Sequence, residues 1–152
     1  MAKELNNEYH PSSVSHPGVT LTEVLEALGM TQKELADRMG RPSKTINEII
    51  KGKTTILPET AIQLETVLGT PAHFWLRRQN DYDESNARKE QDGILQREVR
   101  WLIRFPLREM RSKFNICTNS TKTGKLKELL TFFGTTHPEQ WERHWKEVLI
   151  HY

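Results

Sequence analysis

The sequence predicts an all-α protein: five short helices in a compact N-terminal unit, then a smaller helical C-terminal region. Three observations carry this. Apolar residues recur at helical spacing along most of the chain. Gly and Pro fall between those stripes, where helices stop and start. At one joint, Thr31 followed three residues later by Glu34 makes a capping-box start.

In chain order, residues 1–15 have no apolar periodicity, and Pro11, Ser12, Ser13 and Ser15 read as a flexible tail. His16-Pro17-Gly18 opens a first helix, since Pro suits the first helical turn. Leu21, Val24, Leu25 and Leu28 form its stripe and Gly29 ends it. Thr31 caps a second helix from about Gln32, with Leu35, Ala36 and Met39 inward, Gly40 as its left-handed stop and Pro42 against continuation. Ser43 is expected to cap a third helix through about Lys51, ended by Gly52. Thr54 to Leu57 reads as a connector. Pro58 starts a fourth helix with Ala61, Ile62, Leu64 and Leu68 inward, stopped by Gly69. Thr70-Pro71 caps a fifth, to about Asp83, whose Phe74, Trp75 and Leu76 should close the core.

Residues 84–105 are expected to make one long amphipathic helix, weakened at Gly93, with Leu95, Val99, Leu102 and Ile103 on its apolar face. Arg97, Arg100, Arg104, Arg108 and Arg111 fall within about 80° on the other side if the helix continues past Pro106. Pro106 should break it, because an internal proline costs about 3 kcal/mol. That arginine strip reads either as a phosphate- or acid-binding surface or as a solvated face, and the solvated face is preferred. Residues 114–123 form a polar connection. A further helix runs from Gly124 to Phe133 and stops at Gly134. Thr136, Pro138 and Glu139 open the last one, with Trp141, Trp145, Val148, Leu149 and Tyr152 as its stripe. Aromatics at that spacing usually form core, though a dimer or partner surface remains open.

Composition bounds the function. No apolar run approaches the ~20 residues needed to span a bilayer. The N-terminus lacks the hydrophobic stretch of a secretory signal. Cys117 is the single cysteine, so no intrachain disulfide can form, which suits a reducing cytoplasm. The net charge of +2 is small, but it is unevenly spread. Residues 31–53 carry six basic and three acidic side chains, +3, between a −3 segment (1–30) and a −2 segment (54–83). A basic island over the second and third helices is the footprint expected of a nucleic-acid partner.

The third helix sharpens this. Ile46, Ile49 and Ile50 fall within about 100° of one another and must face inward, opposite Lys44, Asn47, Glu48 and Lys51. An apolar back with a short polar front, after a tight turn with Gly, is what a DNA-recognition helix requires. The bland alternative is a solvated helix in an all-α domain; the charge island favours recognition. Lys44 can donate to guanine O6/N7, Asn47 can pair with adenine, and Glu48 can accept from cytosine N4. Ser43 stands with Lys44 at the helix end that enters the groove. Thr45 sits on the shoulder, able to meet a thymine methyl or a phosphate. Gln32 can donate to a phosphate at the start of the second helix. Arg41, Lys51 and Lys53 are assigned to the DNA backbone.

No enzyme is expected. Neither a Gly-rich phosphate loop, nor a nucleophile elbow, nor a His-Glu-x-x-His motif occurs. His137, His144 and His151 recur every seven residues, a rise of about 10.5 Å, too far for two imidazoles to share one ion. No metal and no cofactor are expected.

Residues 16–83 resemble the XRE-type helix-turn-helix domain, and within it the HigA antitoxin branch. The His-Pro-Gly opening, the Ile-Ile-Lys-Gly-Lys end of the third helix and the Gly-Thr-Pro-x-x-Phe-Trp-Leu segment carry the resemblance. It implies a five-helix lambda-repressor-like fold, a homodimer on two-fold double-stranded operator DNA, repression of its own operon, and neutralisation of a RelE/HigB-like toxin protein. The branch places base readers at the positions of Ser43, Lys44 and Glu48; Pro42 departs from the polar residue many relatives carry. WLIRFPLREM and KLKELLTFFGTTHPEQWERHW resemble the helical segment of XRE proteins fused to an ImmA/IrrE-type metallopeptidase. That resemblance implies the alternative of a regulatory half in a peptidase-linked repressor. A third reading is an interaction module without DNA binding.

Overall fold

The computed structural model describes residues 14–150, with side chains through Val148. The tail residues Pro11, Ser12 and Ser13, with His10, His151, Tyr152 and the Leu149 side chain, lie outside the described residues. The described chain is helical and divides into two units between residues 86 and 87.

The first unit is built from α1 (Pro17–Leu28), α2 (Gln32–Met39), α3 (Ser43–Ile50), α4 (Pro58–Leu68) and the first part of α5 (Ala72–Gln96). Its core is one cluster: Leu21, Leu25, Leu35, Ala36, Met39, Ile46, Ile49, Ile56, Ala61, Leu64 and Trp75. Most inward stripes fall where periodicity puts them. Three expectations do not. Leu28, Ile62 and Phe74 are exposed: Ile62 and Phe74 stand about 100° around the helix from the buried Ala61 and Trp75, and Leu28 is the last residue of α1. Ile56, in the connector, is fully buried instead. Its backbone N–H donates to the buried Gln79 Oε1 at 3.0 Å, so the extended connector enters the core with its amide satisfied. Ser15, the last tail residue, accepts from Arg78 through both its carbonyl and its hydroxyl at 3.1 Å.

The His-Pro-Gly opening has a packing reason. His16 caps α1, its Nδ1 accepting from the Gly18 N–H at 3.1 Å. Pro17 and Gly18 are buried. A Cβ on Gly18 would lie 2.3 Å from the Ile49 carbonyl oxygen and 2.4 Å from that of Ile50. The first turn of α1 therefore rests directly on the last carbonyls of α3, amide end against carbonyl end, which is the favourable pairing of helix dipoles.

In the second unit α5 corrects the helix expected over 84–105. It runs unbroken from Ala72 through Gly93 to Gln96. Gly93 costs that helix only about 1 kcal/mol, too little to end it. The chain turns at Arg97–Glu98 and continues as a short 3₁₀ segment, Val99–Arg104. The turn lets Trp101 join Leu102 in the core; Ile103, expected on the apolar face, is instead 85% exposed. Pro106 does separate this segment from the next helix, α6 (Leu107–Phe114). The five-arginine strip is thereby broken up. Arg104 pairs with Glu142, and Arg111 donates to the Cys117 carbonyl at 2.9 Å.

Helices α7 (Lys122–Phe133) and α8 (Pro138–Ile150) complete the unit. Leu95, Trp101, Leu102, Met110, Cys117, Leu126, Leu129 and Leu130 form its core. Trp141 packs edge-on against Trp101, Phe105 and Phe133, with ring centres 5.3–5.5 Å apart, so this aromatic serves the core. Val148, expected on the same stripe, is exposed. Cys117 is buried at a left-handed φ of 58°. Burial pushes its thiol up from the ordinary cysteine range, and the nearby Glu128 adds to the effect. His137 is used as a cap, its Nδ1 accepting from the Glu139 N–H at 3.2 Å. Among the described residues, no His, Cys, Asp and Glu group is placed to hold a metal. No described helix is long and apolar enough to cross a membrane.

Candidate nucleic-acid interface

The site is the α2–α3 pair. Thr31 caps α2, its hydroxyl accepting from the Glu34 N–H at 3.1 Å. The Glu34 carboxylate turns outward to Arg38, 2.6 Å away, so only half of the expected capping box forms. At the other end Gly40 takes φ 63°, and two bonds close the helix: Arg41 N–H to the Ala36 carbonyl, Gly40 N–H to that of Asp37. That is a Schellman stop, which needs the left-handed conformation glycine adopts without strain.

Pro42, not Ser43, occupies the N-cap position of α3, and no side chain caps the helix there. The correction has a simple cause. Pro42 has ψ 141°, an extended conformation that ends the turn, and Ser43 is already helical. The first amides of α3 are thus left without a side-chain partner, and the Thr45 N–H bonds the Pro42 carbonyl at 3.0 Å. A second Schellman stop at Gly52, φ 70°, ends the helix where expected: Lys53 N–H bonds the Glu48 carbonyl and Gly52 N–H that of Ile49.

Ile46 and Ile49 are buried and Ile50 half-buried, so the back of α3 is fixed against α1 and α2. Its front presents the other residues singled out above. Ser43, Lys44 and Lys51 are exposed, as are Gln32 at the start of α2 and Lys53 after the stop; Thr45, Asn47 and Glu48 are half-buried. Lys44 Nζ lies 3.9 Å from Glu48 Oε1, with the two side chains 85% and 40% exposed. Such an i,i+4 pair contributes only about 0.3–0.5 kcal/mol and opens readily for another partner.

Two contacts have no signature in the sequence. Asn47 Nδ2 donates to Gln32 Oε1 at 3.3 Å, joining the first residue of α2 to the middle of α3. One Nδ2 hydrogen and Oδ1 of Asn47 remain free, enough for a two-point contact, and the Gln32 amide NH₂ faces outward as a donor. Arg41 Nε donates to Gln63 Oε1 of α4 at 2.8 Å, which aims the guanidinium and leaves its terminal N–H groups available. Neither contact follows a short-range pattern, since the partners are 15 and 22 residues apart. The arrangement offers donors and acceptors at graded depth on a rigid helix, with cations on both flanks. It suits the grooved, anionic surface of a nucleic acid better than a small-molecule pocket.

Known proteins share this half. A helix-turn-helix family model matches residues 21–75. YddM of Escherichia coli (strain K12), named as an uncharacterized HTH-type transcriptional regulator, is 33% identical over 76 residues, covering 50% of this chain and 81% of its own. A structure of an addiction module antidote protein of a HigA family from Coxiella burnetii is 32% identical with a TM-score of 0.53, covering 57% of this chain and 95% of its own. A structure of the Pseudomonas aeruginosa antitoxin HigA with the higBA promoter is 27% identical with a TM-score of 0.52, covering 56% and 94%.

Proposed function

Because the chain belongs to the XRE-type helix-turn-helix family, in its HigA antitoxin branch, we propose that it is a sequence-specific, DNA-binding repressor that acts as an antitoxin. It binds double-stranded operator DNA as a homodimer, represses its own operon and neutralises a RelE/HigB-like toxin. The observation that carries the reading is the two-sided α3. Its back is fixed in the core through Ile46 and Ile49, and its front holds Lys44, Asn47 and Glu48 beside a tight Gly40 turn. The Pseudomonas aeruginosa HigA structure with promoter DNA supports it further.

In the proposed complex the N-terminal end of α3 enters the major groove. Lys44 reads guanine, Asn47 adenine and Glu48 cytosine, with Ser43 at the leading edge. Thr45 meets a thymine methyl or phosphate at the shoulder. Gln32 donates to a phosphate from the start of α2 while its carbonyl oxygen holds Asn47. Arg41, Lys51 and Lys53 hold the DNA backbone and set register without reading sequence.

The test is a gel-shift and footprint titration on DNA upstream of the native operon. A protected two-fold site with affinity well above that for scrambled DNA is expected. Equal binding to both sequences overturns the reading. The peptidase-linked alternative is less favoured, since none of the relatives above is a peptidase by name.

A further inference from the structure

The second unit contains a cavity of about 400 Å³, lined by the apolar Leu102, Ile103 and Phe105 and by the cationic Arg100, Lys122 and Lys125. Pockets that hold small molecules span roughly 300–1,000 Å³ and combine an apolar wall with a few converging polar groups. Here all the converging charges have one sign, and no carboxylate lines the cavity. Other cations of this unit do find acids: Lys127 pairs with Asp92, and Arg104 with Glu142. Arg100, Lys122 and Lys125 have no side-chain ion pair or hydrogen bond among the described residues. Lys122 and Lys125 also stand in the first turn of α7, where the helix end adds partial positive charge. Beside them Ile103, a large apolar side chain outside the unit's core, leaves 85% of its surface to water.

We propose that this cavity binds a small amphiphilic anion, a soluble carboxylate with an apolar tail. The carboxylate takes the Arg100 fork and the two lysines, and the tail lies over Ile103 and Phe105. Arginine presents parallel N–H donors that match a carboxylate's two oxygens. A peptide helix fits less well, because at ~10 Å across it fills this volume within about one turn. The arginine strip anticipated along residues 97–111 is thus reduced to Arg100, which the 3₁₀ segment carries to the cavity. The site is independent of the DNA-binding reading. It would make the second unit a sensor of the ligand class.

Phe105 stacks edge-on with Trp101 at 4.6 Å, so occupancy should alter tryptophan emission. The experiment titrates the full chain with decanoate below its micellar range, following fluorescence and calorimetry. One saturable site is expected. Decanol and decyltrimethylammonium should bind at least about tenfold more weakly, as should Ile103→Asp, Arg100→Gln and the Lys122→Gln/Lys125→Gln pair. Ile103 is exposed enough for Ile103→Asp to keep the parent circular dichroism; the charge variants test the same site if it does not. No saturable binding, equal binding by decanol, or parent-like binding by all the variants overturns the proposal. So does co-sedimentation with phosphatidylglycerol vesicles by a chain that ignores free decanoate, which would assign the surface to membranes.

Discussion

Replacing Gly18 by alanine tests how α3 is held. In most helices this change stabilises, by up to about 1 kcal/mol, since alanine has the higher helix propensity. Gly18 does not have a left-handed φ, so backbone conformation raises no objection. Space does. The new methyl would meet the carbonyl oxygens of Ile49 and Ile50 at 2.3 and 2.4 Å and the Ile50 carbonyl carbon at 2.7 Å. All three are backbone atoms, so no side chain can swing away; either α1 lifts or the end of α3 moves. Overpacking typically costs about 1–3 kcal/mol, and a backbone clash belongs at the top of that range. Subtracting the propensity gain leaves a net loss of about 2 kcal/mol. At ~4–8 °C per kcal/mol for a unit of this size, the first thermal transition should fall by roughly 10 °C. Gly93→Ala is the matched control. A Cβ there meets nothing within 4 Å, so that variant should gain about 0.5–1 kcal/mol. Calorimetry on both proteins decides the matter. A Gly18→Ala protein as stable as its parent would mean that α1 does not rest on the α3 carbonyls.

Lys44→Ala and Asn47→Ala should each weaken binding to the operator by about 1–3 kcal/mol with little effect on non-specific DNA, whereas Lys51→Ala should weaken all sequences alike and lower the salt slope by about 1; unchanged gel-shift titrations for both Lys44→Ala and Asn47→Ala would remove α3 from base reading. Thr31→Ala deletes the bond to the Glu34 amide and should cost about 1 kcal/mol in a denaturant titration, with no loss implying that water replaces the cap. The raised thiol of Cys117 gives a pH signature. The folded state retains the proton that the unfolded chain releases, so this contribution to stability is whole below the ordinary thiol range and declines as pH rises through it. Cys117→Ala should flatten that alkaline decline, and native Cys117 should react with thiol reagents only as fast as the unit opens; prompt labelling of the folded protein would contradict its burial.

Local signals in this chain fixed what depends on a few neighbouring residues. Thr31 and Gly40 bracket α2, Gly52 stops α3, Pro58 opens α4 and Pro106 divides the second unit, because capping, left-handed φ and the missing proline N–H act within a turn. The two-sidedness of α3 was equally legible, since 3.6-residue periodicity sorts Ile46 and Ile49 from Lys44 and Lys51 without any partner in view. At Ser43 the local reading failed, because Pro42 could hold the extended N-cap conformation just as well.

What only the tertiary structure decided lies where distant segments compete for the same space. Periodicity gave Ile103 an inward position; burying Trp101 against Phe105 and Trp141 required the helix to turn, and Ile103 was left in water. The Gln32–Asn47 and Arg41–Gln63 bonds, which orient two of the proposed DNA contacts, depend on helices meeting at a particular register. The His-Pro-Gly opening shows both levels at once. The sequence by itself determined that a helix begins there, since proline and a capping histidine need no partner. That its glycine must be a glycine was decided by the carbonyls of Ile49 and Ile50, some thirty residues away along the chain and in direct contact in the fold.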